Sequence, residues 1–232
     1  MNPKVLLLDI ETAPNIGYTW GKYEQNVIEF KEPWYILSVA YCWLGKQVHV
    51  VALDTMTEKQ VLERIHELLS NCSVAIAHNG DKFDFKKLNT RFIVHGLKPP
   101  APYKTVDTRK VARNHFGFSS NSLNDLGKEL GLGQKVVHTG FDLWKRCMRG
   151  EKRAFRMMRR YNAQDVRLLE RVYLKLMPWM KMHPAVWVDN GKCSRCQSEK
   201  FQSRGYEITK KARFRKMQCQ GCGTWKREKI ET

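Results

Sequence analysis

Short apolar runs mark the first part of the chain. Runs at about residues 4–9, 35–42 and 47–53 predict three strands, and the run at residues 74–77 predicts a fourth. Val5–Leu8 is apolar without interruption, as expected of a strand buried on both faces of a sheet. An amphipathic segment at about residues 58–69 predicts a helix between the third and fourth runs. This order favours an α/β fold with a mixed sheet.

Helical spacing dominates from there to about residue 180. A helix is predicted at about residues 82–95, with Asp81 as its N-cap. A long helix is predicted at about residues 151–177, because apolar side chains recur there at helical spacing. The proline-containing stretch 178–184 ends this helix and serves as a linker or packed hinge.

Acidic residues follow two of the predicted strands. Asp9 and Glu11 lie two positions apart, so their side chains share one face of the first strand. Asp84 follows the turn after the strand at residues 74–77, and we expect it to point at the end of the first strand while Phe83 packs inward. Neighbouring carboxylates in an apolar setting need a cation. A divalent metal ion would neutralise these carboxylates. The alternative is that Asp9 caps a turn and that Glu11 is solvated.

The long helix contains a second pair of candidate residues. Tyr161 and Asp165 are four positions apart and therefore lie on one face. A carboxylate there can bind a metal while the phenol one turn away orients a water molecule. The alternative is a core tyrosine beside an aspartate that pairs with arginines along the helix.

Three motifs together resemble a known family. Asp9-x-Glu11, Asn79-x-x-x-Phe83-Asp84 and Tyr161-x-x-x-Asp165 are similar, in order and spacing, to the exonuclease motifs of the DEDD superfamily. These 3′–5′ exonucleases have a ribonuclease H-like fold, and the proofreading domain of family B DNA polymerases is the member that the chain resembles. The tyrosine in the third motif places the resemblance in the DEDDy subclass. It covers about residues 1–180, with further matches at residues 106–108 and 122–126.

The resemblance implies a catalytic site with two Mg²⁺ or Mn²⁺ ions. Asp9 would bridge both ions, three further carboxylates would complete the coordination, and Tyr161 would position the attacking water. The residues expected to carry the chemistry are Asp9, Glu11, Asp84, Tyr161 and Asp165. All five are present, so nothing in the sequence suggests an inactivated copy.

Four cysteines near the C-terminus have metal-ligand spacing. Cys193-x-x-Cys196 and Cys219-x-x-Cys222 are separated by 22 residues, which predicts a zinc ribbon with one structural Zn²⁺. Two disulfides or a redox pair are the alternatives. Disulfides are disfavoured because the sequence shows no signal peptide and has an odd total of seven cysteines.

Charge favours a nucleic-acid partner. The formal net charge is +18, and the excess is present both before and after residue 180. The basic stretch 146–160 can follow a phosphate backbone, or it can be a solvated helix face. Basic and aromatic residues also alternate in the ribbon, where some of the aromatic rings can belong to its small core. Residues expected to contact nucleic acid are Asn79, Phe83, Arg156, Arg160, Lys211, Arg213, Arg215 and Trp225.

The segment at residues 14–33 is rich in aromatic residues and directly follows the first strand. Two interpretations are open: it lines the pocket for the 3′-terminal nucleotide, or it is a loop packed over the sheet. The sequence does not separate them.

The sequence therefore predicts a ribonuclease H-like 3′–5′ exonuclease domain at residues 1–180 and a zinc ribbon at residues 187–232. We expect it to act on single-stranded or frayed DNA; alternatives are an exoribonuclease, a ribonuclease H-like endonuclease or junction resolvase, and a non-catalytic binding module. The ribbon would bind nucleic acid, a polymerase or another replication or repair protein. No apolar run is long enough for a membrane, and the free thiols predict a reducing compartment, the cytoplasm of a bacterium or of a virus-infected host.

Overall fold

The structure is a computed structural model that describes residues 4–23, 26–180, 183–184, 191–209 and 212–230. Its strands in chain order are β1 (Val5–Thr12), β2 (Ile16–Tyr18), β3 (Glu29–Glu32), β4 (Ile36–Trp43), β5 (His49–Ala52), β6 (Val74–Ala77), β7 (Lys104–Asp107), β8 (Phe201–Ile208), β9 (Arg213–Cys219) and β10 (Trp225–Lys229). Its α-helices are α1 (Glu58–Ser70), α2 (Asp84–Val94), α3 (Thr108–His115), α4 (Leu123–Glu129), α5 (Phe141–Met148) and α6 (Lys152–Leu176), and a 3₁₀ turn (Met177–Trp179) follows α6.

A mixed five-stranded sheet forms the centre of the first part of the chain. Its strand order is β5-β4-β1-β6-β7, with β5, β4 and β1 antiparallel and β1, β6 and β7 parallel. This confirms the predicted α/β class and the ribonuclease H-like sheet with flanking helices. Strand β7 was not predicted, because it has only four residues and two of them are exposed at the sheet edge.

Alternation along β1 divides the core into two layers. Val5 and Leu7 pack against the cluster that contains Val172 of α6, whereas Leu6 and Leu8 pack against α1 and α2 on the other face. Residues 9 and 11 continue the odd-numbered side of the strand. Their carboxylates therefore face α6.

The start of α2 differs from the prediction. The helix begins at Asp84, and Phe83, not Asp81, occupies its N-cap position. The backbone N–H of Asp81 donates to the Asp107 carboxylate, and its own carboxylate lies 3.9 Å from the Lys110 ammonium. Phe83 does not pack inward as predicted: its side chain is 37% exposed, because the later start of the helix turns Asp84 inward instead.

Strands β2 and β3 pair as an exposed antiparallel hairpin. Trp20 is 86% exposed and Tyr23 is 90% exposed, so these rings do not cover the sheet. Of the two interpretations left open for this segment, a loop packed over the sheet does not describe these two side chains. The exposed apolar residues of the hairpin are Ile16, Tyr18, Trp20, Tyr23, Val27, Ile28 and Phe30.

The C-terminal segment forms a second, three-stranded antiparallel sheet in the order β10-β9-β8. Arg195 joins it to the first part of the chain, because its guanidinium donates to the carbonyls of Met177 and Met180 after α6. Trp187, where the ribbon was predicted to begin, and Lys211 lie outside the described residues. Among the described helices, none has both the length and the apolar character needed to cross a membrane.

Candidate active site

Three carboxylates meet between β1 and α6. One oxygen from each of Asp9, Glu11 and Asp165 lies within 4.8 Å of the other two. Asp9 and Glu11 reach this point because they share a face of β1, and Asp165 reaches it from the buried side of α6. The alternatives of a turn-capping Asp9 and a solvated Glu11 do not describe this arrangement, since both residues are half-buried and face other acids.

Asp84 completes the acidic region from α2. Its side chain is buried, and the backbone N–H of Ile10 in β1 donates to its Oδ1 at 3.1 Å. Asp84 is not one of the three clustered acids, but its charge contributes to raising the pKa values of Asp9 and Glu11. The structure thus directs Asp84, and not Asp81, toward β1.

Burial and mutual repulsion disfavour the ionised forms of these acids. Burial, together with the neighbouring carboxylates, raises the pKa of Asp9 well above its usual range and that of Glu11 to about 8. Burial also raises the pKa of Asp84 to about 7, against two lowering backbone hydrogen bonds. Oδ1 of Asp165 is buried and has no hydrogen-bond partner among the described residues. An all-oxygen set with an unsatisfied ligand atom fits a hard divalent cation such as Mg²⁺ or Mn²⁺.

Lys135 is a site residue that the sequence analysis missed. Its ammonium donates to Asp165 Oδ2 at 2.5 Å and to the Tyr161 hydroxyl at 3.2 Å. It comes from the loop between α4 and α5, in a stretch with no periodic pattern, so no sequence signal indicated it. Burial and the charge of Asp165 raise the pKa of the Tyr161 phenol, which therefore stays protonated at neutral pH.

Asn162 is a second missed residue. Its side-chain amide donates to Asp9 at two atoms, Oδ2 at 2.6 Å and the backbone carbonyl at 3.1 Å. Its Oδ1 accepts a hydrogen bond from the Ser38 hydroxyl at 2.9 Å, and both residues are fully buried. A signal was available: Asn162 lies three positions before Asp165, on the same helix face.

A cavity of about 460 Å³ opens beside Asp9. Asn79 lies on its wall with a φ of 67°, a left-handed conformation that asparagine tolerates, and its Oδ1 accepts from Arg109 at 3.2 Å. The Asp107 carboxylate accepts from the backbone N–H of Asn79 at 2.9 Å and of Arg109 at 3.0 Å. Residues 106–108, which matched the family motifs, thus brace the turn that contains Asn79.

The basic stretch 146–160 divides into two groups. Arg146 pairs with Glu151 and Arg159 pairs with Asp54, so these two arginines stabilise the fold. Arg156 and Arg160 are exposed on α6 and form no ion pair with the described residues. Arg149, Lys152 and Arg153 are exposed as well, so these residues together with Arg156 and Arg160 are available to a nucleic acid.

The four cysteines converge in the C-terminal sheet. The Sγ atoms of Cys193 and Cys222 lie 3.7 Å apart, those of Cys196 and Cys219 lie 3.6 Å apart, and all four lie within 4.8 Å of one another. Thiolates around one tetrahedral Zn²⁺, at Zn–S distances of about 2.3 Å, are about 3.8 Å apart. The cluster therefore fits a structural zinc ribbon and not two disulfides.

On the surface of the ribbon, basic side chains lie against aromatic rings. Arg213 lies 4.0 Å from the ring centre of Tyr206, and Lys226 lies 3.9 Å from that of Phe201. Arg215 is exposed, and Trp225 is 53% exposed. This arrangement is compatible with contacts to nucleic acid.

Comparison with known proteins agrees with the geometry. Residues 6–177 match the profile of the RNase_H superfamily. The chain belongs to the RNase_H superfamily. The family B DNA polymerase of the hyperthermophilic archaeon Pyrobaculum calidifontis is similar in structure, with a TM-score of 0.59 and 15% sequence identity over 77% of this chain and 25% of the polymerase chain. At that identity the likeness shows the shared fold. No curated protein matches the sequence. Membership of this superfamily supports a nuclease that uses divalent metal.

Proposed function

We propose that the chain is a metal-dependent 3′–5′ exonuclease that removes nucleotides from single-stranded or frayed DNA. The observation that supports this most is the convergence of Asp9, Glu11 and Asp165 beside the Tyr161 hydroxyl, with Asp84 on the neighbouring helix. The tyrosine on the helix that carries the last acid matches the DEDDy motif. The structural likeness to a family B DNA polymerase agrees with this resemblance.

Each residue has a defined part in the proposed reaction. Asp9, Glu11, Asp84 and Asp165 would hold two Mg²⁺ or Mn²⁺ ions, which when bound activate the attacking water and stabilise the leaving 3′ oxygen. The Tyr161 hydroxyl, protonated and held by Lys135, can hydrogen-bond the attacking water or the phosphate. Asn162 holds the Asp9 carboxylate in place toward the other acids.

The strand would leave the site over basic surface. We propose that Arg156 and Arg160 contact its phosphates, and that Asn79 and Phe83 contact the terminal nucleotides.

We also propose two domains, residues 1–180 for catalysis and residues 187–232 as a ribbon that binds one Zn²⁺. The ribbon would contact the strand through Arg213, Arg215 and Trp225, or a polymerase or repair protein instead. Free thiols suit the reducing cytoplasm.

The direct test is a degradation assay. DNA and RNA oligonucleotides of equal sequence, labelled at the 5′ end, are incubated with the purified chain and Mg²⁺ or Mn²⁺, beside the Asp9→Ala variant. We expect a ladder that shortens from the 3′ end, stronger on DNA and absent in the variant. A ladder on RNA alone would indicate an exoribonuclease. Intact DNA and RNA, with binding retained, would overturn the proposal in favour of a non-catalytic binding module.

A further inference from the structure

One lysine of α2 has its ammonium against aromatic rings. The ammonium of Lys87, in the first turn of α2, lies 3.6 Å from the ring centre of Trp34 and 5.7 Å from that of Phe83. Phe83 and Lys87 are four positions apart, so they share one face of the helix. Asp84 begins the same helix, three positions before Lys87. Lys87 therefore lies about one helical turn from a proposed metal ligand.

The rings hold this charge in place. Trp34 is fixed just before β4 by the hydrogen bond from its backbone N–H to Asn15 Oδ1, at 2.9 Å. Arg91 continues the stripe of Phe83 and Lys87 along α2 and lies 5.6 Å from the Trp34 ring centre. The Arg91 guanidinium is already neutralised by Glu58, to which its Nε donates at 2.8 Å. Of the two cations against Trp34, only that of Arg91 has a carboxylate partner among the described residues.

Lys87 thus loses hydration without gaining an anion. It is half-buried, and no described carboxylate lies within 4 Å of its ammonium. Burial lowers its pKa, whereas contact with an anion would favour the charged form. The aromatic face offsets part of the lost hydration. Lys86, the preceding residue, is exposed to water in the ordinary way.

We propose that Lys87, positioned by Trp34, binds one phosphate of the substrate strand next to the catalytic acids. This rests on the proposed function for the identity of the strand. The exposed Phe83 ring beside the ammonium offers its free face to the adjoining base. Lys87 is then a phosphate-binding residue, and Trp34 is a positioning residue that acts through it.

The test measures binding without cleavage. Affinity for a fluorescent single-stranded oligo-dT is followed by anisotropy at several salt concentrations, in the Asp9→Ala background. Each lysine–phosphate contact to a single strand contributes about 0.7 to the slope of log K against log salt. We expect Lys87→Gln to lower the slope by about that amount and Lys86→Gln to leave it unchanged. An equal effect of the two substitutions, or none from Lys87→Gln, would overturn the phosphate site.

Two further measurements test whether Trp34 acts by positioning Lys87 or only by supporting the fold. We expect Trp34→Leu to lower the slope as Lys87→Gln does, and Trp34→Phe, which keeps an aromatic face, to retain it. In the double variant Trp34→Leu/Lys87→Gln the two effects should not add. Additive loss, or loss in Trp34→Phe equal to that in Trp34→Leu, would overturn the positioning role.

Replacing one phosphate of the oligonucleotide by an uncharged linkage then shows which phosphate Lys87 contacts. A single methylphosphonate is moved stepwise from the 3′ end of the oligonucleotide. At one position the methylphosphonate should weaken binding by the protein that retains Lys87 and leave binding by the Lys87→Gln variant unaffected. The absence of any such position would contradict the phosphate site.

These binding measurements do not depend on catalysis. A Lys87-dependent slope with an inactive wild type would overturn only the proposed exonuclease, and an active wild type with a Lys87-independent slope would overturn only the phosphate site.

Discussion

The Lys135 ammonium lies 2.5 Å from Oδ2 of Asp165, inside the acidic cluster. The two residues come from a loop and a helix that are 30 positions apart. The charge of Lys135 lowers the pKa of Asp165 and also that of Asp9 and Glu11, against the raising effect of burial. Lys135 therefore offsets part of the effect of burial and favours the ionised carboxylates that a metal requires.

Replacing Lys135 should move the pH dependence of catalysis. In Lys135→Gln the pKa values of the acids rise, so ionising them requires a higher pH. We expect the acidic limb of the profile of kcat/KM against pH to shift to higher pH, and Lys135→Arg to restore it in part. An acidic limb that stays in place would show that Lys135 does not control ionisation of the acids.

Asn162 should determine metal affinity through Asp9. Its amide orients the Asp9 carboxylate, and losing such an outer partner typically costs about 10- to 100-fold in metal affinity or activity. We expect Asn162→Ala to raise the Mn²⁺ concentration for half-maximal activity by about that factor. Ser38→Ala is the control: it removes only the hydrogen bond to Asn162 and should have a smaller effect. Equal effects would assign the loss to general disruption of the core.

Asp84 and Asp81 should differ sharply in their effect on catalysis. Asp84→Asn keeps an acceptor for the Ile10 N–H but removes a charge beside the acidic cluster. We expect it to lower kcat by more than about 100-fold, beyond the loss typical of an outer partner. Asp81→Asn, at the loose contact with Lys110, should retain nearly full activity. Measuring kcat for both variants tests whether Asp84 or Asp81 is the catalytic acid. A larger loss of kcat in Asp81→Asn than in Asp84→Asn would contradict the choice of Asp84.

The acids should also destabilise the chain at high pH when no catalytic metal is bound. In the folded chain the pKa of Glu11 is about 8 and that of Asp84 about 7, both above the values expected when unfolded. Between about pH 4 and pH 8 the folded state binds more protons, so the free energy of unfolding falls as pH rises.

This loss should appear in thermal unfolding. We expect Tm to fall from about pH 5 to about pH 8 without Mg²⁺ or Mn²⁺, and Mn²⁺ to raise it most at the higher pH. Chelators are left out so that the ribbon keeps its own metal. Glu11→Gln should flatten the dependence, whereas Glu67→Gln on the exposed side of α1 should not. A dependence that survives Glu11→Gln unchanged would place its origin elsewhere.

The ribbon should bind one equivalent of zinc. Burial raises the pKa of the Cys219 thiol, but hydrogen bonds from the backbone of Cys222 and Gly221 and from the thiols of Cys196 and Cys193 together lower it to about 7, which favours the thiolate that zinc requires. We expect native mass spectrometry to find one Zn²⁺ in the wild type and none in Cys219→Ser. Cys72→Ser, a buried cysteine whose pKa burial raises to about 12, should retain it. Zinc in both variants would move the site away from the four cysteines.

Local sequence patterns were sufficient for several parts of this protein. The two-residue period of β1 places Asp9 and Glu11 on one face, and the helical period places Tyr161 and Asp165 on another. Both relations hold within a single element, so they follow from backbone geometry alone. The spacing of the cysteine pairs worked in the same way, because each pair lies within one tight turn.

Only the tertiary structure decided which residues complete the site. Lys135 reaches Asp165 through the path of an irregular loop, and Asn162 meets Ser38 because α6 packs across β4. The start of α2 at Asp84, one residue after the exposed Phe83, depends on how the preceding turn is held by Asp107. Periodicity fixes the direction of a side chain within its own strand or helix, whereas the distance between two elements depends on the packing of the layers and the course of the loops between them.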